Sequence, residues 1–148
     1  MQNRSRETEE TGYADVFLDT SIIIEIFRRE KESKAFQRIL DTIEGNNNAE
    51  EPNYMSIVQL AEISDWCAKN GISTLNGINS AKSLAQILPL DESVCQKSGG
   101  IKLAKRKAGD PDFGLIDAII LASARSIDQR LLTLDLHFEG ESDCVVLN

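Results

Sequence analysis

The chain has 148 residues, 27% charged and 41% hydrophobic, the size and make-up of one ordinary globular domain that can bury a core without staples. Sixteen basic and 24 acidic residues give a net charge of −8, a poor balance for gripping phosphates unless some of the acids cluster to hold divalent cations. Three scattered cysteines without a Cys-x-x-Cys pair, and no apolar run of about 18 residues or secretory leader, point to reduced thiols in a cytoplasm. The single histidine, His137, excludes paired-histidine nucleases and zinc sites with several His ligands. A hydrolytic metal site in this chain would have to be built from carboxylates, which favours hard ions such as Mg²⁺ or Mn²⁺.

Residues 1–13 are polar and aperiodic and read as a flexible tail, leaving 14–148 as a single domain. A buried strand is predicted over Ala14–Leu18, then a helix over Ser21–Arg29, with Thr20 or Ser21 as its cap. The spacing of Ala35, Phe36, Ile39, Leu40 and Ile43 predicts a second helix over Glu32–Ile43, stopped at Gly45, and a polar loop to Pro52. Tyr54 and Met55 read as a short strand, and Ser56 as the cap of a helix over Ile57–Lys69. That helix is expected to bury Ile57, Leu60, Ala61, Ser64 and Cys67/Ala68 and to close at Asn70-Gly71. Gly71–Gln86 reads as one or two helices interrupted near Gly77. A strand follows over Ile87–Leu90, then a helix that starts at Asp91 or Ser93 and ends before Gly109. Gly109–Gly114 is loop chemistry, with Asp112 as a cap. Leu115–Ala124, apolar on nearly every face, is expected to be a central buried helix. Leu131–Leu134 and Cys144–Leu147 complete the strands. Alternating strands and helices predict an α/β fold with a parallel sheet covered on both faces.

Four acids do not suit a core. Asp19 and Asp135 stand at the carboxyl ends of buried strands, while Glu62 and Asp117 lie in helices that follow other strand ends. Doubly wound sheets bring such positions to one edge, where ligands bind. Taken singly, each has a plainer reading: Asp19 and Asp135 as turn residues, Glu62 as a solvated helix residue, Asp117 as a first-turn acid favoured by the helix dipole. Taken together, four carboxylates in one pocket repel and are tolerable only with cations among them.

The motifs Val16-Phe-Leu-Asp19-Thr-Ser21, Ser56-Ile-Val-Gln-Leu-Ala-Glu62, Gly114-Leu-Ile-Asp117-Ala-Ile-Ile-Leu-Ala and Leu132-Thr-Leu-Asp135-Leu-His-Phe138 occur in one order and at one spacing. That arrangement resembles the PIN-domain family of metal-dependent ribonucleases, over residues 14 to 148. The resemblance implies a three-layer α/β/α sandwich around a mainly parallel sheet, and hydrolysis of RNA with Mg²⁺ or Mn²⁺ to 5′-phosphate and 3′-hydroxyl ends. It implies Asp19, Glu62, Asp117 and Asp135 as catalytic metal ligands, with Ser21 and Thr133 orienting them. Many relatives are VapC-type toxins that form homodimers and pair with an antitoxin; the added tail and the acidity set this chain apart from them.

Lys102, Lys105 and Arg106 share one helical face and are candidates for RNA contact, although such a run is more often a solvated face near a helix C-terminus. Two rival readings remain. One is a non-catalytic interaction module, for which a missing acid would speak. The other is a DNA nuclease or phosphatase built on the same carboxylates, which do not encode the sugar.

Overall fold

A computed structural model describes residues 16–28, 39, 41 and 52–147 of the chain. The expected tail, residues 14–15 of the first strand and the loop before Pro52 lie outside them. So does most of the expected Glu32–Ile43 helix, of which Ile39 and Asp41 are described and are helical.

Strand β1 (Val16–Leu18) leads into helix α1 (Thr20–Arg28), and β2 (Tyr54–Ser56) into α2 (Val58–Lys69) and α3 (Thr74–Leu84). Strand β3 (Gln86–Leu88) precedes α4 (Glu92–Lys107) and α5 (Leu115–Ser126). Strand β4 (Arg130–Thr133), a 3-10 turn (Leu136–Phe138) and β5 (Cys144–Val146) end the domain. The five strands form one sheet in the order β3-β2-β1-β4-β5, every pairing parallel. Each parallel step needs a crossover, and these put helices on both faces, the expected three-layer α/β/α sandwich.

The strand sequences divide the core by simple alternation. Val16 and Leu18 of β1, with Leu132 of β4, face a cluster completed by Ile22, Ile23, Ile63, Cys67 and Ala81 of α1, α2 and α3. Phe17 and Leu131 face the opposite way, onto Phe113, Ala118, Leu121, Ala124 and Phe138. Every residue of β1 is fully buried, as its unbroken apolar run required.

Local differences from expectation have physical causes. Gly77 does not interrupt its helix: α3 is continuous, and a Cβ at Gly77 would collide with Cys67 Sγ, so glycine is what lets α3 lie against α2. Helix α2 buries Gln59, Ile63 and Cys67 rather than the expected Ile57, Ala61 and Ser64; Ile57 is exposed. Apolar residues at 57, 58, 60, 61 and 63 leave the phase of the buried stripe ambiguous by one position. The cap position of α2 is Ile57, without a side-chain bond, rather than Ser56, which stands one residue earlier; Ser56 Oγ accepts from Val58 N (3.3 Å), and Gln59 Oε1 accepts from Ser56 N (2.7 Å). Asp91 caps α4 through Val94 N (2.8 Å). The cap of α5 is Gly114, not Asp112. Helix α5 is buried along most of its length, but Leu115 and Ile116 in its first turn are 47% and 36% exposed, so it is an outer-layer helix whose start overhangs the sheet.

Candidate functional site

The strand order reverses at β1: β2 and β3 lie to one side of it, β4 and β5 to the other. Chain connections diverge there, and in doubly wound sheets ligands bind outside the carboxyl ends of the strands at such a point, here β1 and β4. Asp19 is the first residue beyond β1 and stays in register with β4, its N–H donating to Leu132 O at 3.0 Å. The residue is 4% exposed. Ser21 Oγ and Thr133 Oγ1 both donate to Asp19 Oδ2 at 2.7 Å, and the two hydroxyls stand 3.3 Å apart. These hydroxyls are themselves fixed, Ser21 Oγ accepting from Leu134 N at 3.0 Å and Thr133 Oγ1 from Asp135 N at 2.9 Å. The expectation that Thr20 or Ser21 caps α1 therefore fails: Ser21 serves Asp19, and Thr20 Oγ1 donates to Glu62 Oε1 at 2.6 Å. Burial would make a carboxylate costly here, and hydroxyl donors offset part of that cost.

Burial pushes the Asp19 carboxyl above the usual range; the Ser21 and Thr133 hydrogen bonds pull it back, and the charges of Asp117 and Asp135 raise it again. Glu62 is raised by partial burial, drawn down by Thr20, and raised by the charges of Asp19 and Asp117. Asp117 is raised by burial, lowered by the Gly114 N–H that donates to its Oδ2 at 3.0 Å, and raised by Asp135. The acids named from the sequence thus sense one another across four separate elements. Asp135 lies two residues beyond β4 and caps the 3-10 turn, its Oδ1 accepting from His137 N at 2.9 Å.

The PIN domain profile matches residues 16–140. The chain belongs to the PIN-domain family. No curated protein matches it in sequence. Solved structures share its PIN fold. The toxin–antitoxin complex from Klebsiella pneumoniae aligns with TM-score 0.66 at 22% identity, over 88% of this chain and 96% of that one. VapBC-1 from nontypeable Haemophilus influenzae aligns with TM-score 0.65 at 21% identity (90% and 96%), and FitAcB from Neisseria gonorrhoeae with 0.61 at 22% (90% and 96%). Identities this low speak for the fold alone.

PIN domains are nucleases that use divalent metals, and the donor chemistry of this pocket suits a hard cation: carboxylates that raise one another, with hydroxyls behind them. Among the described residues, however, no three acidic, histidine or cysteine side chains are poised around one point. Glu62 is turned onto Thr20, Asp117 onto Gly114 N and Asp135 onto His137 N, each drawn to a nearby donor.

The basic face of α4 is engaged within the chain. Lys105 pairs with Glu141 at 3.3 Å and lies 5.3 Å from the centre of the Phe113 ring, and Arg106 Nε donates to Phe113 O at 3.1 Å. Lys102 has no ion-pair partner among the described residues. One supporting residue escaped sequence reasoning. Gln59, fully buried, donates from Nε2 to Leu18 O at 2.7 Å, tying α2 to the carboxyl end of β1 just before Asp19. Its only sequence signal was its place three residues after Ser56.

Proposed function

We propose that this PIN domain is an endoribonuclease that hydrolyses RNA phosphodiesters with Mg²⁺ or Mn²⁺ in the cytoplasm. The observation that carries the reading is Asp19: a buried carboxylate at the switch point of the sheet, gripped by two hydroxyls and charged against Asp117 and Asp135. Asp19 and Asp117 are the principal ligands in this reading, with Glu62 and Asp135 completing the set. Bound cations would supply Lewis acidity toward the phosphodiester and a lowered pKa for an attacking water. The chain's own contribution is preorganisation. Ser21 and Thr133 hold the Asp19 carboxylate by one oxygen, and Gln59 fixes the backbone beneath it. The remaining acids supply the negative field that draws cations into an acidic protein. Lys102 is proposed as the first contact for RNA, with Lys105 and Arg106 beside it.

Likeness in fold to a toxin–antitoxin complex supports reading this chain as a toxin that takes a protein antitoxin; a homodimer is part of the same proposal. A non-catalytic module is the weaker alternative, because none of the four motif acids is missing. The deciding assay is cleavage of labelled RNA and DNA by the parent and Asp19→Asn, with Mg²⁺, with Mn²⁺ and with EDTA. RNA cleavage that needs the metal and Asp19 is expected. Cleavage of DNA alone, or an Asp19→Asn variant as active as the parent, would overturn the reading.

A further inference from the structure

The segments that carry the third and fourth acids are joined by one side-chain pair. Asp110 opens the turn after α4: its N–H donates to Lys105 O at 3.2 Å and its carbonyl accepts from Phe113 N at 3.4 Å. Immediately beyond this turn stands Gly114, whose N–H holds the Asp117 carboxylate. On the other side, His137 lies in the 3-10 turn, and its backbone N–H holds Asp135 Oδ1. The imidazole Nδ1 of His137 reaches both oxygens of Asp110, at 2.9 and 2.8 Å, across 27 residues of chain.

The two acids thus held are not indifferent to each other: the charge of Asp135 acts on Asp117. Carboxylates beside two separate loops, Asp117 in the first turn of α5 and Asp135 just after β4, relieve their repulsion most cheaply by letting those segments spread. A link between those loops, placed beside the acids, opposes that. We infer that Asp110 and His137 form a positioning latch that fixes the spacing of Asp117 and Asp135 and so sets the affinity of the acid pocket for a divalent cation. The inference rests on the nuclease reading above. It asks no proton to move, only a donor at the Nδ1 position. Asparagine can place its amide nitrogen close to that position, whereas the longer glutamine places its own nearer Nε2.

The test is Mn²⁺ binding to the full chain, followed by the paramagnetic resonance of unbound Mn²⁺, for the parent, His137→Ala, Asp110→Ala, the double variant, His137→Asn and His137→Gln. Melting in EDTA checks that each variant is folded. Loss of a supporting partner of this kind weakens metal binding about 10- to 100-fold. His137→Ala and Asp110→Ala are each expected to weaken Mn²⁺ binding at least about tenfold, with the double variant no weaker than the worse single one. His137→Asn should recover most of the parent affinity and His137→Gln should not. Parent-like binding by His137→Ala, additive losses in the double variant, or rescue by glutamine alone would overturn the latch. If His137→Ala does not fold, the asparagine–glutamine comparison decides. A parent that binds no Mn²⁺ and cuts no RNA overturns the nuclease reading instead, and the latch with it; a parent that does both while the variants match it overturns the latch alone.

Discussion

Gln59 donates to the carbonyl of Leu18 across two elements at 2.7 Å, and the same side chain accepts from Ser56 N at 2.7 Å. One buried amide therefore satisfies two backbone groups, one on β1 and one on β2. Gln59→Leu keeps the volume and removes both bonds. Each buried backbone group left unpaired costs about 1–3 kcal/mol, so a loss of about 2–6 kcal/mol is expected by urea unfolding. Cleavage per folded molecule should fall as well, because the backbone before Asp19 loses its brace. An unchanged midpoint would show that water replaces the amide.

Gly77 is required by the approach of α3 to α2. Gly77→Ala should destabilise by about 1–3 kcal/mol, the usual range for an overpacked core, despite alanine's better helix propensity. Adding Cys67→Ala removes the sulfur that the new methyl meets. The double variant should then be more stable than the sum of the two single changes predicts, a coupling that thermal melts of all four proteins would measure. Simple additivity would count against the clash.

The pH dependence of the metal-free protein follows from Asp19, Glu62 and Asp117, all raised above their ordinary values of 3.8, 4.5 and 3.8. A carboxyl raised on folding binds protons more readily in the native state than in the unfolded one. Its contribution to stability is thus fully present below the unfolded pKa and is lost as pH rises through the folded one. In EDTA, these groups should make the protein more stable at mildly acid pH than at pH 8. Asp19→Asn should flatten that slope, because its largest cause is burial of a charge that asparagine lacks. Melting temperatures across pH 4.5–8 for both proteins would test the sign; a steeper slope in Asp19→Asn would contradict it.

Asp117 has a structural duty beside its proposed one, since it accepts from Gly114 N at the start of α5. An amide oxygen can take the same bond, and the raised pKa says that the surroundings on balance disfavour the charge. Asp117→Asn should therefore be at least as stable as the parent in EDTA. Asp117→Ala, without the cap, should lose about 0.5–2 kcal/mol. With Mn²⁺ in 100-fold excess over its Kd, the parent should gain about 2.7 kcal/mol, and Asp117→Asn much less, with cleavage lost. Equal gains in both proteins would remove Asp117 from the metal site.

The acids were legible because a carboxylate is conspicuous at the end of Val16–Leu18 or among Leu115, Ile116, Ile119 and Ile120. The parallel sheet was legible from alternating buried runs and helices. Less could be read where a residue's role depends on a distant partner. Gln59 looks like any solvated helical glutamine until Leu18 is placed beside it, and Gly77 looks like a helix breaker until Cys67 is. The phase of α2 was lost to an excess of apolar residues. The capping role of Asp117 was hidden because Asp112, two residues before Gly114, is the better cap by residue type.

The bond from Thr133 to Asp19 spans 114 residues. Parallel pairing of β1 with β4 is the least local step in building this sheet, and such steps are slow because loop closure precedes any gain from contact. Synthesis runs from the amino terminus, so Asp19 emerges long before the strand that will hold it. A chain still short of Thr133 on the ribosome carries the first three acids without the hydroxyl and the neighbouring strand that assemble them. For the ribonuclease proposed above, whose substrate would surround it during synthesis, the order of emergence would act as a safeguard: the Asp19 carboxylate is not held by Thr133 until residue 133 has been made.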